Sequence, residues 1–145
     1  DVLMYVRGSA VSDQLQLALD FATNAALKNL GKKVETRVAS KAKMTVRQAG
    51  MGEDQASKTE INLISSTVME EVTLSGYKMV ETKLVSLDSG SYRAFILLEY
   101  PVAKAYKSYI EKIEKSSELK GRLTAIKNTD IYKELKKAVA KYSGS

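Results

Sequence analysis

The side chains of this chain that could carry chemistry are carboxylates and amines, because the sequence contains neither histidine nor cysteine. Their absence removes imidazole bases, thiol nucleophiles, disulfide bonds and nearly all zinc sites. Two adjacent acidic pairs, Glu53-Asp54 and Glu70-Glu71, are the remaining candidates for general acid–base work. Adjacent residues on a helix or strand point in different directions, so neither pair brings two carboxylates together.

The sequence also lacks the loop motifs that bind phosphates, activate a serine or hold calcium. We therefore predict a protein that is not an enzyme, with no catalytic residues, no cofactor and no metal site. No apolar run approaches the roughly 20 residues that a membrane-spanning helix needs.

Charge is distributed unevenly along the chain, which carries +6 in total. Residues 28–50 carry a net charge of +6, residues 51–100 carry −4 and residues 101–145 carry +6. The simplest interpretation is a solvated surface, and the alternatives are contacts between copies of the protein or binding of anionic partners. A sheet that binds nucleic acid would need aromatic side chains among its basic ones, and the basic segment has none. We therefore expect Lys41 and Lys43 to face solvent or an acidic neighbour, and no nucleic acid to be a partner.

The elements that must position these groups are clearest between Gly76 and Pro101. The turn Asp88-Ser89-Gly90 predicts a hairpin in which residues 77–87 pair antiparallel with residues 92–100. The second strand is apolar on both faces, which is typical of a central strand. Pro101 lacks a backbone donor and is expected to end the ladder.

A strand over residues 2–10 and a helix over residues 13–30 precede the hairpin in the prediction. Ser12 or Asp13 is expected to cap this helix, and Gly31 to end it. A second helix is predicted over residues 55–72, capped by Ser57 or Thr59. The apolar faces of the two helices are Leu15, Leu19, Ala22, Ala26 and Leu30 in the first, and Ala56, Ile61, Ile64, Val68 and Val72 in the second.

Residues 34–47 have two interpretations. Apolar and polar residues alternate with period two, and many are β-branched, which favours a fourth strand. The alternative is that the first helix continues through this stretch. Period two is the more regular pattern, so the sequence favours the strand.

Helices are predicted after Pro101, with Gly121 in a connector between them. We divide the chain into an α+β domain over residues 1–101 and a C-terminal helical extension over residues 102–145. The sequence leaves open whether this extension packs back or contacts a neighbour. The predicted fold is an antiparallel sheet of three to four strands with two helices packed on one face, followed by C-terminal helices.

The order of these elements resembles one family of bacterial proteins. The matching features are a strand that ends in Gly8-Ser9-Ala10, an alanine-rich helix, a valine-rich stretch from Val34 to Ser40, Leu74 to Tyr77, and the strand Tyr92 to Pro101. They resemble the small outer-membrane lipoproteins that include a twenty-kilodalton antigenic lipoprotein and a flagellar basal-disc protein. The resemblance covers residues 2–105.

The resemblance implies an exported, non-enzymatic protein at the periplasmic face of the outer membrane, lipidated at an N-terminal cysteine. The chain has no cysteine, so the lipid anchor either lies upstream of Asp1 or is absent. Flagellar members of the family assemble into rings or discs around the motor. The implied partners are other copies of the chain, further flagellar or envelope proteins, and the membrane. The alternatives are a periplasmic lipoprotein that forms no ring and, less favoured, a basic nucleic-acid-binding module.

A ring is built from heterologous contacts, in which one patch meets a different patch on the next copy. We predict that basic side chains of one copy meet acidic side chains of the next, with two tyrosines as the apolar anchor. The candidate residues are Lys32, Arg37 and Lys41; Glu60, Glu70 and Glu71; and Tyr106 and Tyr109.

Overall fold

The computed structural model of this protein describes residues 3–51, 54–117 and 119–143. Its strands are β1 (Leu3–Ser12), β2 (Lys78–Ser86) and β3 (Tyr92–Pro101). Its helices are α1 (Leu15–Gln48), α2 (Gln55–Leu74), α3 (Val102–Lys115), α4 (Leu123–Lys127) and α5 (Asp130–Ser143), with a short 3-10 turn at Lys120–Arg122. Val2 and Glu53, which figured in the sequence predictions, lie outside the described residues.

The three strands form one antiparallel sheet in the order β1-β3-β2. Gly8 of β1 pairs with Ile96 of β3, and Lys83 of β2 pairs with Phe95. This confirms the α+β class, the hairpin between residues 77 and 100, and the central position of its second strand. The sheet has three strands within the described residues, because the predicted fourth strand is helical.

The strand prediction for residues 34–47 is wrong, because α1 runs without a break for 34 residues. Its buried stripe recurs every fourth residue, and a spacing of four satisfies the helical period as well as a period of two. The alternation that favoured a strand was therefore the second half of one helical stripe. That stripe comprises Ala18, Ala22, Ala26, Leu30, Val34, Val38, Ala42 and Val46.

Both predicted ends of the first helix also differ from the structure. Gly31 does not end the helix but lies buried in its interior. The helix begins at Leu15, which is 44% exposed, and the N-cap residue is Gln14, whose side chain makes no capping hydrogen bond. The hydroxyl of Ser12 instead accepts a hydrogen bond from the Gln14 N–H at 3.2 Å.

Small residues bring α1 close to β1. A Cβ atom at Gly8 would lie 2.3 Å from the Ala26 nitrogen and 2.4 Å from the Ala22 oxygen. Real Cβ atoms essentially never approach backbone atoms so closely. The glycine therefore permits direct backbone contact between strand and helix.

The helix α2 packs mainly against α1 and α3. Its buried face contains Ile61, Ile64, Val68 and Val72, as predicted, whereas Ala56 is exposed. The prediction that Ser57 or Thr59 caps this helix is wrong. Asp54 is the cap, and its carboxylate accepts hydrogen bonds from the Ser57 N–H at 3.2 Å and the Ser57 hydroxyl at 3.0 Å.

We expect the Asp54 cap to make the stability of the protein sensitive to acid. The hydrogen bonds from Ser57, and then that from Arg122 at 3.2 Å, lower the pKa of Asp54 from 3.8 to about 2. Because this pKa falls on folding, the stabilisation is complete above the unfolded value and is lost as pH falls from about 4 to about 2. Urea unfolding of the wild type should therefore lose stability more steeply over this range than that of Asp54→Ala.

Arg122→Ala is the matched control for this pH dependence. Arg122→Ala removes the smaller of the two effects that lower the pKa of Asp54 and leaves both hydrogen bonds from Ser57 in place. The dependence of its stability on pH should therefore stay closer to that of the wild type. Parallel profiles for the wild type and Asp54→Ala would contradict the assignment of Asp54 as the titrating cap.

The C-terminal helices pack back onto the rest of the chain. The helix α3 contacts α1, α2 and α5, and α5 also contacts α1. Val102, Tyr109, Ile126 and Leu135 belong to the same continuous core cluster as Met4 of β1. One hydrophobic core thus extends from the sheet to the last helix.

Two buried tyrosines of this core differ in how their hydroxyls are satisfied. The Tyr132 hydroxyl donates to Glu114 at 2.8 Å. The Tyr109 hydroxyl lies near Thr45 but has no hydrogen-bond partner within the described part of the chain. Burial raises the pKa of Tyr109 to about 12, so this hydroxyl is neutral at physiological pH.

Removing the two hydroxyls should have different effects on stability. We expect Tyr109→Phe to leave the free energy of unfolding unchanged or to raise it by up to about 1 kcal/mol, since it removes an unpaired polar group from the core. We expect Tyr132→Phe to lower it by about 0.5–1.5 kcal/mol, since it removes a formed hydrogen bond. Chemical denaturation of both variants measures the two values, and a larger loss for Tyr109→Phe would contradict this prediction.

Candidate self-association surface

The structure places the predicted basic contact residues along α1. Lys32 and Arg37 are exposed, and Lys41 is half-buried. Lys43, which was expected to face solvent or an acidic neighbour, is exposed. The three predicted contact residues thus remain on the surface, spread over the middle turns of one helix.

Two of the predicted acidic contact residues bind within the chain. Glu60 accepts a hydrogen bond from the Ser116 hydroxyl, and Glu71 accepts one from the Ser108 hydroxyl. Both bonds join α2 to α3 or to the residue that follows it. Glu70 lies on the same helix and is exposed. Glu60 and Glu71 therefore help to hold α3 in place, which the sequence did not reveal.

The predicted tyrosine anchor does not lie on the surface. Tyr109 is 1% exposed and belongs to the core, and Tyr106 is half-buried and packs against that core. The Tyr109 side chain is therefore not available to a second copy, contrary to its predicted role. The helical spacing that suggested an interface was that of a core-facing helix.

An apolar surface appears instead on the sheet. The helix α1 covers the face formed by Met4, Val6, Ile96 and Leu98, all of which are buried. The opposite face, here called the open face, carries Leu3, Tyr5, Val11, Phe95 and Leu97 with charged residues between them. Phe95 is 40% exposed although it lies on the central strand. Exposed apolar groups in such an arrangement commonly mark an interaction surface.

Charged side chains interrupt the open face. The Tyr5 hydroxyl donates to Glu99 at 3.0 Å across the β1–β3 pair, and this bond raises the pKa of Tyr5. Phe95 lines a depression of about 600 Å³, which it shares with Arg7, Glu81 and Lys83. The face therefore combines exposed apolar side chains with charged ones.

A second exposed apolar patch lies on α1. Leu17 is 36% exposed and Phe21 is 50% exposed. Their spacing places them on one strip of the helix with Asn29, because residues four apart share a face. Asn29 donates to the Arg7 carbonyl at 2.7 Å, so this strip runs beside the outer edge of β1. Leu17 and Phe21 thus form a second patch, here called the α1 strip, on a different element from the open face.

The two edges of the sheet differ. The side chains of Asn29 and Lys33 donate to the carbonyls of Arg7 and Tyr5 on β1, at 2.7 Å and 3.2 Å. Every residue of β2 is exposed, including the apolar residues Met79, Val80, Leu84 and Val85. Helix side chains thus occupy part of the β1 edge, whereas β2 is the accessible edge.

The comparisons with known proteins leave the identity of this chain open. No family model, curated protein or solved structure matches it. No helix among residues 3–51, 54–117 and 119–143 has the length and apolar character needed to cross a membrane. The same residues contain no group of three or more acidic side chains that could hold a metal ion. The resemblance to outer-membrane lipoproteins therefore stays a prediction.

Proposed function

We propose that this protein is a non-enzymatic structural subunit that assembles with further copies of itself. The observation that carries the proposal is the presence of two different apolar patches, the open face around Phe95 on the sheet and the α1 strip around Phe21 on the helix. A ring or disc needs two different patches on each copy, so that one copy contacts the next in a repeating heterologous arrangement.

Charge supports the same arrangement. Lys32 and Arg37 are exposed on α1, and the middle of the chain is acidic. Exposed ion pairs contribute only about 0–1 kcal/mol each, so the apolar patches must supply most of the affinity. Charge then acts chiefly on the rate of encounter, and added salt should slow assembly more than it weakens the finished oligomer.

The finer proposal is that the assembly is a flagellar ring or disc at the periplasmic face of the outer membrane. It depends on the resemblance described above. A lipid anchor upstream of Asp1 would hold the subunits at the membrane, and the partners would be other copies, flagellar proteins or envelope proteins. Deletion of the gene should then impair motility, whereas a lipoprotein without a ring would leave motility intact.

The assembly proposal can be tested by measuring oligomer mass in analytical ultracentrifugation. Phe95→Glu disrupts the open face and Phe21→Glu disrupts the α1 strip, so each variant alone should lose the large oligomers of the wild type. Each variant keeps the patch that the other lacks, so a mixture of the two should form assemblies larger than either alone. The matched control is Leu63→Glu on α2, whose side chain is 59% exposed and lies in neither patch.

A wild type that stays monomeric at its highest soluble concentration would overturn the proposal. So would large oligomers that survive both substitutions, because the contact would then lie elsewhere. Tight binding of the wild type to a defined oligonucleotide at physiological salt would favour the nucleic-acid-binding alternative instead.

A further inference from the structure

We infer that two copies of this chain pair through β2 about a two-fold axis at Thr82, joining two sheets into one continuous antiparallel sheet. The inference rests on the proposed self-association and adds to it a second, isologous contact. The partner is a second copy of the chain, recognised by the backbone of an edge strand and by the charges beside it.

The first step is that β2 is the available edge. A strand at the edge of a sheet presents unpaired N–H and C=O groups that can bind another strand. On β1, Asn29 and Lys33 occupy the outward carbonyls of Arg7 and Tyr5. All of β2, from Lys78 to Ser86, is exposed. Added strands are therefore expected at β2.

The second step is the direction of the backbone groups on β2. The carbonyl of Arg7 points away from β3, so Gly8 is the residue that exchanges hydrogen bonds with Ile96. Direction alternates along antiparallel strands, so Phe95 turns toward β2 and exchanges hydrogen bonds with Lys83. The next residue, Thr82, therefore directs its N–H and C=O outward.

The third step is the register. A two-fold axis through a pair of antiparallel strands places one residue opposite itself. With Thr82 at the axis, Glu81 of each copy faces Lys83 of the other, and Val80 faces Leu84. Opposite charges across strands stabilise the pairing, whereas like charges destabilise it. The segment is therefore complementary to itself in this register.

Neighbouring registers lack this complementarity. An axis at Glu81 or at Lys83 places two like charges directly opposite each other. An axis at Leu84 places Lys83 opposite Val85 and forms no ion pair between Glu81 and Lys83. Only some registers let the outward backbone groups of the two β2 strands pair. Among these, the charges of β2 favour the register whose axis lies at Thr82.

The irregularity of β2 limits the strength of the pairing. The register with β3 shifts between Met79 and Glu81, so the regular part of the strand begins at Glu81. A short ladder centred on Thr82 therefore predicts a dimer that dissociates on dilution. This contact leaves Phe95 and Phe21 free for the heterologous contacts of a larger assembly.

Cross-linking tests the register directly, because the chain has no cysteine of its own. Thr82→Cys should form a covalent dimer under mild oxidation, since a hydrogen-bonded pair has its Cα atoms about 5.5 Å apart, within the range that a disulfide bridges. Leu84→Cys is the matched control, because its partner would be Val80 rather than itself. Equal cross-linking at both positions, or none at Thr82, would overturn the register.

Charge exchange is the second test. Glu81→Lys alone and Lys83→Glu alone should each raise the dimer dissociation constant about tenfold, because each places like charges opposite each other twice. The double variant restores both pairs with their signs reversed and should return the constant to that of the wild type. A double variant as weak as the single ones would overturn the pairing.

A proline variant separates this inference from the proposed function. Thr82→Pro removes an outward N–H, so the β2–β3 ladder and the circular dichroism spectrum should be preserved while the dimer weakens about tenfold or more. Unchanged oligomers in Thr82→Pro would overturn the β2 contact and leave the assembly proposal standing. A dimer that responds to Thr82→Pro but never grows larger would overturn the ring and leave the β2 contact standing.

Discussion

Gly8→Ala should lower the free energy of unfolding by about 3 kcal/mol or more, although it adds only one methyl group. The new Cβ atom would lie within 2.3 Å of the Ala26 nitrogen and 2.4 Å of the Ala22 oxygen. Both obstacles are backbone atoms in the first half of a long helix, so no side chain can rotate away. Strand and helix must separate, and the packing of α1 on the sheet is lost along with the contact.

Urea denaturation followed by circular dichroism measures this loss. Gly121→Ala is the matched control, because nothing lies within 4 Å of a Cβ atom at that glycine. We expect it to change stability by no more than about 0.5 kcal/mol. A cost for Gly8→Ala as small as that of the control would show that β1 and α1 are not in direct backbone contact.

The second large effect is expected at Ile96, which is 2% exposed on the covered face of the central strand. Ile96→Ala should lower the free energy of unfolding by about 2–5 kcal/mol, because it removes buried apolar area and leaves a cavity. Ile96 pairs with Gly8, so its neighbours are held by the close approach of strand and helix and have little freedom to fill the space.

Leu63→Ala provides the comparison, since its side chain is mostly exposed on α2. Leu63→Ala should change the free energy of unfolding by no more than about 0.5 kcal/mol in the same denaturation experiment. A loss below about 1 kcal/mol for Ile96→Ala would place this side chain outside the core. It would contradict the assignment of Ile96 to the face of β3 that α1 covers.

The hairpin could be predicted from the sequence because its signals are local. The turn residues Asp88-Ser89-Gly90 and the apolar strand from Tyr92 to Tyr100 specify both partners within a short segment. Gly90 has φ = 86°, the left-handed conformation that glycine adopts without strain. The central position of β3 followed from apolar residues on both of its faces, although only one of those faces is covered.

The second half of α1 could not be decided from the sequence. Val34, Val38 and Val46 fit a strand and a helix equally well by spacing, and β-branched side chains favour a strand by propensity. The core decided the outcome, because these residues continue the buried stripe that begins at Ala18. Tertiary packing overrides a local preference of this size.

The candidate surface could not be predicted from the sequence for a related reason. Tyrosine is a residue type that is enriched at interfaces, and only the packing of α3 shows that Tyr109 is buried. The availability of β2 depends on Asn29 and Lys33, which are distant in sequence from the β1 carbonyls that they bind. One sequence signal was present, because Glu81 and Lys83 place two charged side chains in the middle of β2, a pattern typical of an exposed edge.

The length of α1 has a consequence for how the protein unfolds. At 1.5 Å per residue the helix is about 51 Å long. Its first half lies on the sheet, and its last residue, Gln48, accepts a hydrogen bond from the Ile131 N–H at the start of α5. Neither the sheet nor the C-terminal helices can melt without exposing one side of the same helix. Unfolding should therefore be a single cooperative transition, in which probes at the two ends of the molecule report the same midpoint.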